Sequence, residues 1–236
     1  MTPSPTQVPP TCAGSGLLCS LLFADERSAA ACMALGGLAV YPTETFYGLG
    51  CRADSESAVL RVFEAKRRKA DMPLPVILGS AEQLELVAAP PPDMADDLSA
   101  LAAFWPGPFT LLLPARSGLP EALTGGTGRI ALRVSSHPAA RALAEACGFP
   151  IVSSSANISG RAPVTKAREL DPELLASLRP GFDGVLAPPQ PNPDPGGGLP
   201  STIAEPLGSR RLLVRREGAL SLQLLEEAGF SLTFPH

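Results

Sequence analysis

The strongest constraint in this chain is a set of short runs that are apolar on consecutive rather than alternating positions: PVILG at 75–79, FTLLL at 109–113, IALRV at 130–134 and PIVSS at 150–154. Side chains alternate across a strand, so a run that is apolar throughout belongs to a sheet covered on both faces. STIAE (201–205) and RRLLVR (210–215) add two further strands. Helical patterns near 55–67, 80–88, 93–104, 137–147, 166–178 and 219–228 supply the cover. An earlier helix opens at Asp25, whose side chain can cap free backbone N–H groups, and stops at Gly36-Gly37 before the run LAVY. Helices alternating with buried strands define the α/β class, with a twisted, mixed, largely parallel sheet flanked by helices as the expected architecture.

No fixed-period repeat and no central linker interrupt this pattern, which predicts one domain over 21–236. Residues 1–20 hold four prolines and no charged side chain, a composition that resists helix and sheet and predicts a loose leader. Composition then narrows the chemistry. The five Cys include no C-x-x-C pair, so a zinc cage or secreted cystine scaffold is not expected, and with His137 the only internal histidine, His triads and H-E-x-x-H sites are excluded. A reducing, cytoplasmic setting is expected. With 19 Lys+Arg against 23 Asp+Glu, the formal charge of −4 argues against a surface built to embrace nucleic acid. No apolar run reaches the roughly 18 residues that crossing a bilayer needs, and the N-terminus lacks a signal-peptide design.

Three clusters fall at ends of strands or of a helix, where open α/β sheets bind ligands. In Tyr41-Pro-Thr-Glu-Thr-Phe-Tyr-Gly-Leu-Gly50, Thr43 and Thr45 bracket Glu44, and Gly48 and Gly50 let backbone approach a ligand. In Ile151-Val-Ser-Ser-Ser-Ala-Asn-Ile-Ser-Gly160, small residues offer hydroxyls and open N–H groups suited to an anion. Lys66-Arg-Arg-Lys69 closes a helix, where cations complement the dipole and where a Lys and an Arg two apart can clasp a polyphosphate. Each cluster taken alone is equally an ordinary turn or a solvated helix end. Arg133 and Arg216 end strands and by themselves fit surface ion pairs. His137, followed by Pro138, starts a helix and takes no catalytic role. The Pro- and Gly-rich stretch 187–200 must be a loop, either a surface connection or a flap beside a site.

Taken in order, Pro42-Thr-Glu-Thr-x-Tyr-Gly-Leu-Gly, Lys66-x-Arg68 with Pro73-Leu74, Phe104-Trp-Pro-Gly-Pro-Phe-Thr110, Ala131-Leu-Arg-Val134 with His137-Pro138, Ser155-Ala-Asn157-x-Ser-Gly160, Pro200-Ser-Thr-Ile203 and Arg216-x-Gly218 resemble the YrdC-like family over about residues 25–220. The resemblance implies a single-domain YrdC-like fold with a large concave cleft. It also implies an L-threonylcarbamoyladenylate synthase, a nucleotidyltransferase that joins L-threonine, bicarbonate (or CO₂) and ATP into threonylcarbamoyl-AMP and pyrophosphate. The product feeds t⁶A modification at adenosine 37 of tRNA through a downstream tRNA threonylcarbamoyl transferase complex. Mg²⁺ would accompany ATP, with no organic cofactor and no metal site built by the protein. An RNA-binding module of the same fold, holding tRNA or double-stranded RNA, and a related carbamoyl-adenylating activity are the alternatives.

Carried over by position, Lys66, Arg68, Ser155 and Asn157 form the implied catalytic set. Thr43, Arg133, Asn157 and Ser201 would hold threonine. Lys66, Arg68, Ser155, Thr165 and Arg216 would hold the nucleotide, and Tyr47 would line the pocket. As cleft cations facing solvent, Lys66 and Arg68 are expected to matter little for folding. Arg129 and Ile77 depart from the family's usual residues at two contact positions, and the loop 187–200 takes the place of its variable loop before Pro-Ser-Thr-Ile.

Overall fold

A computed structural model describes residues 16–69, 72–187 and 194–235. The chain opens with α1 (Gly16–Ser20) and α2 (Glu26–Ala34), the latter capped by Asp25, which accepts from the Ser28 N–H while Ser28 returns a bond to the Asp25 backbone. β1 (Ala39–Pro42) and β2 (Tyr47–Gly50) form a hairpin, then α3 (Glu56–Lys66) leads to β3 (Val76–Leu78). Next come α4 (Leu84–Val87), α5 (Ala95–Ala102), β4 (Phe109–Pro114), α6 (Glu121–Thr124), β5 (Arg129–Val134) and α7 (Pro138–Ala146). The remainder is β6 (Ile151–Val152), β7 (Ser154–Ser155), α8 (Pro172–Ser177), β8 (Gly184–Val185), β9 (Thr202–Gly208), β10 (Arg211–Arg216), α9 (Leu222–Glu227) and β11 (Ser231–Thr233).

The α/β class stands, but the strands divide between two sheets. A four-stranded sheet runs β7-β2-β1-β8 and a seven-stranded one runs β11-β10-β9-β4-β5-β3-β6. Among the described residues β1·β8, β10·β11, β3·β5 and β4·β9 are parallel, whereas β1·β2, β9·β10, β2·β7, β3·β6 and β4·β5 are antiparallel. The expected largely parallel sheet is therefore evenly mixed. Connection length is the reason, since a tight hairpin such as Ser209-Arg210, with φ of 54° and 57°, can join only antiparallel strands.

Ile77 packs with Ala139, Ala140 and Leu143 of α7 and Met33 of α2, while its neighbours Val76 and Leu78 face the main core, so β3 is covered on both faces. This buries Ile77 away from any ligand, at a position the family resemblance had made a contact. β4, β5 and β9 present apolar residues outside the core for another reason: Leu112, Ala131 and Ile203 floor an open cleft. The helical pattern at 166–178 breaks into a short turn at Ala167–Glu169 and α8, because Pro172 has no N–H to continue a helix and starts a new one, capped by Asp171. The leader expected over 1–20 ends in the ordered α1, with Leu18 buried at 3% exposure; residues 1–15 lie outside the described residues. Among the described residues no helix is long and apolar enough to cross a membrane.

β6 and β7 are two residues apart yet belong to different sheets, so the chain crosses between sheets at Ser153. Here β2 lies so close that a Cβ on Gly50 would sit 1.7 Å from the Val152 carbonyl oxygen. Only glycine permits that approach.

Candidate active site

The crossing opens a cleft of about 760 Å³ above the larger sheet. Thr110 and Leu112 of β4, Ala131 and Arg133 of β5, Ser201 with Ile203 of β9, and Arg215 and Arg216 of β10 make the floor. The β1–β2 turn (Thr43, Thr45, Phe46, Tyr47) forms one wall, Ser153–Ser155 another, and Arg68, Pro73 and Pro75 a third; Gly198 and Pro200 close the rim.

The β1–β2 turn is held from within. Thr43 Oγ1 donates to the Phe46 carbonyl at 2.7 Å and lies 3.2 Å from Thr45 Oγ1. This presents Glu44 to β5, where Arg133 Nε donates to Glu44 Oε1 at 2.8 Å and the Ser135 hydroxyl donates to Oε2. Arg216 reaches back to Ser201, donating to its carbonyl from Nε (3.1 Å) and Nη2 (2.8 Å) and to Oγ from Nη2 (3.3 Å). Ser201 Oγ also meets Thr110 Oγ1 at 2.9 Å. Burial, and secondarily the nearby Arg133 charge, lower the Arg216 pKa from its usual value.

At the other end, α3 stops with Arg67 in the left-handed region (φ 51°), its N–H bonded to the Glu64 carbonyl. That turn separates two neighbours: Lys66 points inward and Arg68 lines the cleft. Lys66 is 2% exposed, and its Nζ donates to the carbonyls of Ser155 and Asn157, the latter at 2.6 Å. Burial, then repulsion from Arg68, push its pKa down to about 8. Arg68 Nη2 donates to the Pro73 carbonyl at 3.0 Å. Asn157 Nδ2 is anchored on the carbonyls of Ile158 and Arg161, at 2.9 and 2.7 Å. Arg68 Nε and Asn157 Oδ1 are buried with no hydrogen-bond partner among the described residues, and unused capacity of this kind at a cleft suits a ligand.

Thr43, Tyr47, Arg68, Arg133, Ser155, Ser201 and Arg216 therefore line one cavity, with Lys66 and Asn157 directly behind Ser155. Thr165 stands further back, against Gly197, where a Cβ would come within 2.8 Å of its Cγ2. Tyr47 directs its hydroxyl to Asp194 at 3.5 Å, and burial raises its pKa. Arg129 pairs with Glu205, which also binds Arg215 at 2.6 Å; it belongs to an ion cluster at the end of the floor. Of the loop 187–200, residues 188–193 lie outside the described residues. Its last part is strapped to the cleft by Gly196 N–H to the Glu44 carbonyl (3.2 Å) and Gly197 N–H to that of Thr45 (2.8 Å). Sequence reasoning passed over Ser135, which nothing local marks, and gave no individual role to Thr110 or Ser153 although both lie in runs it singled out; Glu44, set between two threonines, carried a signal.

The mixed sheets and this cleft define a YrdC-like α/β protein. Residues 31–218 match the family Sua5_yciO_yrdC, described as Telomere recombination, and the chain belongs to that family. Over 162 residues it is 41% identical to the threonylcarbamoyl-AMP synthase of Xanthomonas campestris pv. campestris, covering 69% of this chain and 84% of that one. A double variant of P. abyssi Sua5 superposes with a TM-score of 0.79 at 34% identity, over 89% of this chain and 61% of that one. P. abyssi Sua5 complexed with L-threonine superposes with a TM-score of 0.72 at 35% identity, over 88% of this chain and 58% of that one. The chain thus spans about three fifths of the length of those two solved relatives.

Proposed function

We propose that this chain is a threonylcarbamoyl-AMP synthase, making an adenylate from L-threonine, bicarbonate (or CO₂) and ATP with release of pyrophosphate, and of one water where bicarbonate is first dehydrated to CO₂. The threonine nitrogen adds to the carbon of CO₂ and loses a proton, giving a carbamate. A carbamate oxygen then attacks the α-phosphorus as the bond to pyrophosphate breaks. The substrate brings its own nucleophile, so the protein's work is to position three ligands and offset charge. Arg68 meets the phosphates from the cleft wall while the Lys66 ammonium adds its charge from behind Ser155, Ser155 and Asn157 stand where nucleotide meets carbamate, and Thr43, Arg133 and Ser201 hold threonine. Arg216 and Thr165 serve the nucleotide side.

A Mg²⁺ ion carried by the triphosphate would offset part of its charge, beside Arg68 at the phosphate end. Phosphate oxygens and water would supply its ligands; among the described residues no three His, Cys, Asp or Glu side chains gather. The adenylate is passed to a transferase complex that modifies tRNA in the cytoplasm. An acidic net charge of −4 makes RNA itself a weak direct ligand.

The observation that carries this reading is convergence: groups scattered from Thr43 to Arg216 meet in one cleft, with cations at both ends and two buried polar atoms unpaired. Pyrophosphate release from ATP, followed with threonine and bicarbonate supplied singly and together, tests it. Release is expected only with both. Equal release without threonine would overturn the assignment.

A further inference from the structure

Thr110 ends the run Phe104-Trp-Pro-Gly-Pro-Phe-Thr110 and has no part in the reaction as written above. Yet it lies on β4 in the floor of the cleft, 1% exposed. Its Oγ1 is 2.9 Å from Ser201 Oγ, and Arg216 of β10 donates to the same Ser201 oxygen from Nη2 at 3.3 Å. Thr110 and Arg216 both stand opposite Ile203 in the register of β4, β9 and β10. Ser201 precedes Ile203 by two residues and therefore shares its face, between the other two.

The backbone around Ser201 has no room to adjust. A Cβ on Gly218 would lie 2.2 Å from the Pro200 carbonyl oxygen, and Ala219 N–H donates to that oxygen at 2.8 Å. Arg216 holds the Ser201 carbonyl as well, from Nε at 3.1 Å and Nη2 at 2.8 Å. What can still turn is the Ser201 hydroxyl.

A serine hydroxyl has one proton to give and two lone pairs to fill. Arg216 can only donate, so it takes one lone pair. Thr110 can donate or accept, and its contact with Ser201 serves either direction. If Ser201 donates to Thr110, its proton is spent and a ligand meets only the remaining lone pair. If Thr110 donates instead, both lone pairs are filled and the Ser201 proton must point into the cleft. That arrangement suits an anion, and a carboxylate arriving at Ser201 selects it.

Resting on the synthase reading, in which Ser201 holds threonine, we propose that Thr110 is a positioning residue: by donating to Ser201 Oγ it commits the Ser201 proton to the threonine carboxylate. Arg216 fills the other lone pair of the same oxygen.

Thr110→Val keeps the shape of the side chain and removes the donor. With pyrophosphate release as the assay, the threonine KM should rise about three- to tenfold, as for the loss of one hydrogen bond, while the ATP KM changes by less than about twofold. Thr110→Ser, which restores the donor, should bring the threonine KM back to within about twofold of the wild type. In a Ser201→Ala background Thr110→Val should add nothing, because it acts through Ser201. A merely structural role would raise both KM values together and would persist in that background. An unchanged threonine KM, equal rises for both substrates, no rescue by Thr110→Ser, or additive effects in the double variant each overturn the proposal. If Thr110→Val does not fold, Thr110→Ala takes its place with the same expectations. A wild type without threonine-dependent release overturns the synthase reading and this role with it; normal release by the wild type with an unchanged threonine KM in the variant overturns this role alone.

Discussion

The Lys66 ammonium, bonded to the carbonyls of Ser155 and Asn157 behind the cleft wall, is buried rather than facing solvent as a cleft cation was expected to be. Substitution to alanine therefore does more than remove phosphate binding. It leaves two carbonyls without their donor, at a cost of about 1–3 kcal/mol, so Lys66→Ala should lose both adenylate formation and melting temperature. Arg68→Ala, at a half-buried site with one carbonyl partner, should lose activity with a far smaller change in melting temperature. A pH series separates the two roles of Lys66. An unfolded lysine ionises near 10.5 and this one at about 8, so between those values the unfolded chain binds the extra proton. Stability contributed by Lys66 consequently rises as pH climbs from about 8 towards 10.5, and is lowest below 8 where the buried cation is fully charged. Activity runs the other way: kcat/KM for ATP should fall above about pH 8 as the cation is lost. Thermal melts and pyrophosphate assays across pH 7–10 check both slopes. Lys66→Met should abolish the stability slope; if it persists, another group titrates.

Among the elements, the β1–β2 turn joins the site together. It offers Thr43 to the cleft, Glu44 to β5, and its carbonyls to the strap formed by Gly196 and Gly197. The strap depends on Gly197, which has a φ of 69° and leaves no room for a Cβ beside Thr165. In Gly197→Ala the left-handed backbone alone costs about 1–2 kcal/mol, and the clash pushes the segment from Thr45. Expected is a several-fold drop in threonine-dependent pyrophosphate release, with a melting-temperature loss of only about 2–8 °C. A large loss of stability with activity intact would show that the strap serves folding and not the site.

For the whole molecule, the smaller sheet must be held to the helices behind it, and Asp183 does much of this. It is 2% exposed, accepts from the N–H groups of Leu38 (2.7 Å) and Arg179 (2.8 Å), and pairs with Arg61 of α3. Arg61 in turn donates to the Gly36 carbonyl at 2.9 Å and lies over the Phe182 ring. Asp183→Ala would strand a largely buried cation and two N–H groups, a loss of about 3–5 kcal/mol. Against a total stability of about 5–15 kcal/mol, that should lower the denaturant midpoint sharply. A midpoint unchanged within error would mean that the contact between α3 and β8 is held elsewhere.

Apolar runs, helix caps and breakers are local signals, and they determined the α/β class, the approximate strands and helices, and the motifs that gather at the cleft. The side-chain periodicity of a segment depends on its own residues, which is why β3, β4, β5, β9 and β10 could be read directly. Tertiary structure decided the rest. Which strand pairs with which depends on register across distant segments, so the division into two sheets and the even mixture of directions were not legible. Nor was the reason β4 presents Leu112 outside the core, since a helix and a ligand cleft impose the same pattern on a strand. Charge environment is likewise a property of neighbours in space. The run Lys66-Arg67-Arg68-Lys69 gives no sign that its first member is buried on carbonyls, and Glu44 is separated by almost ninety residues from the arginine it meets.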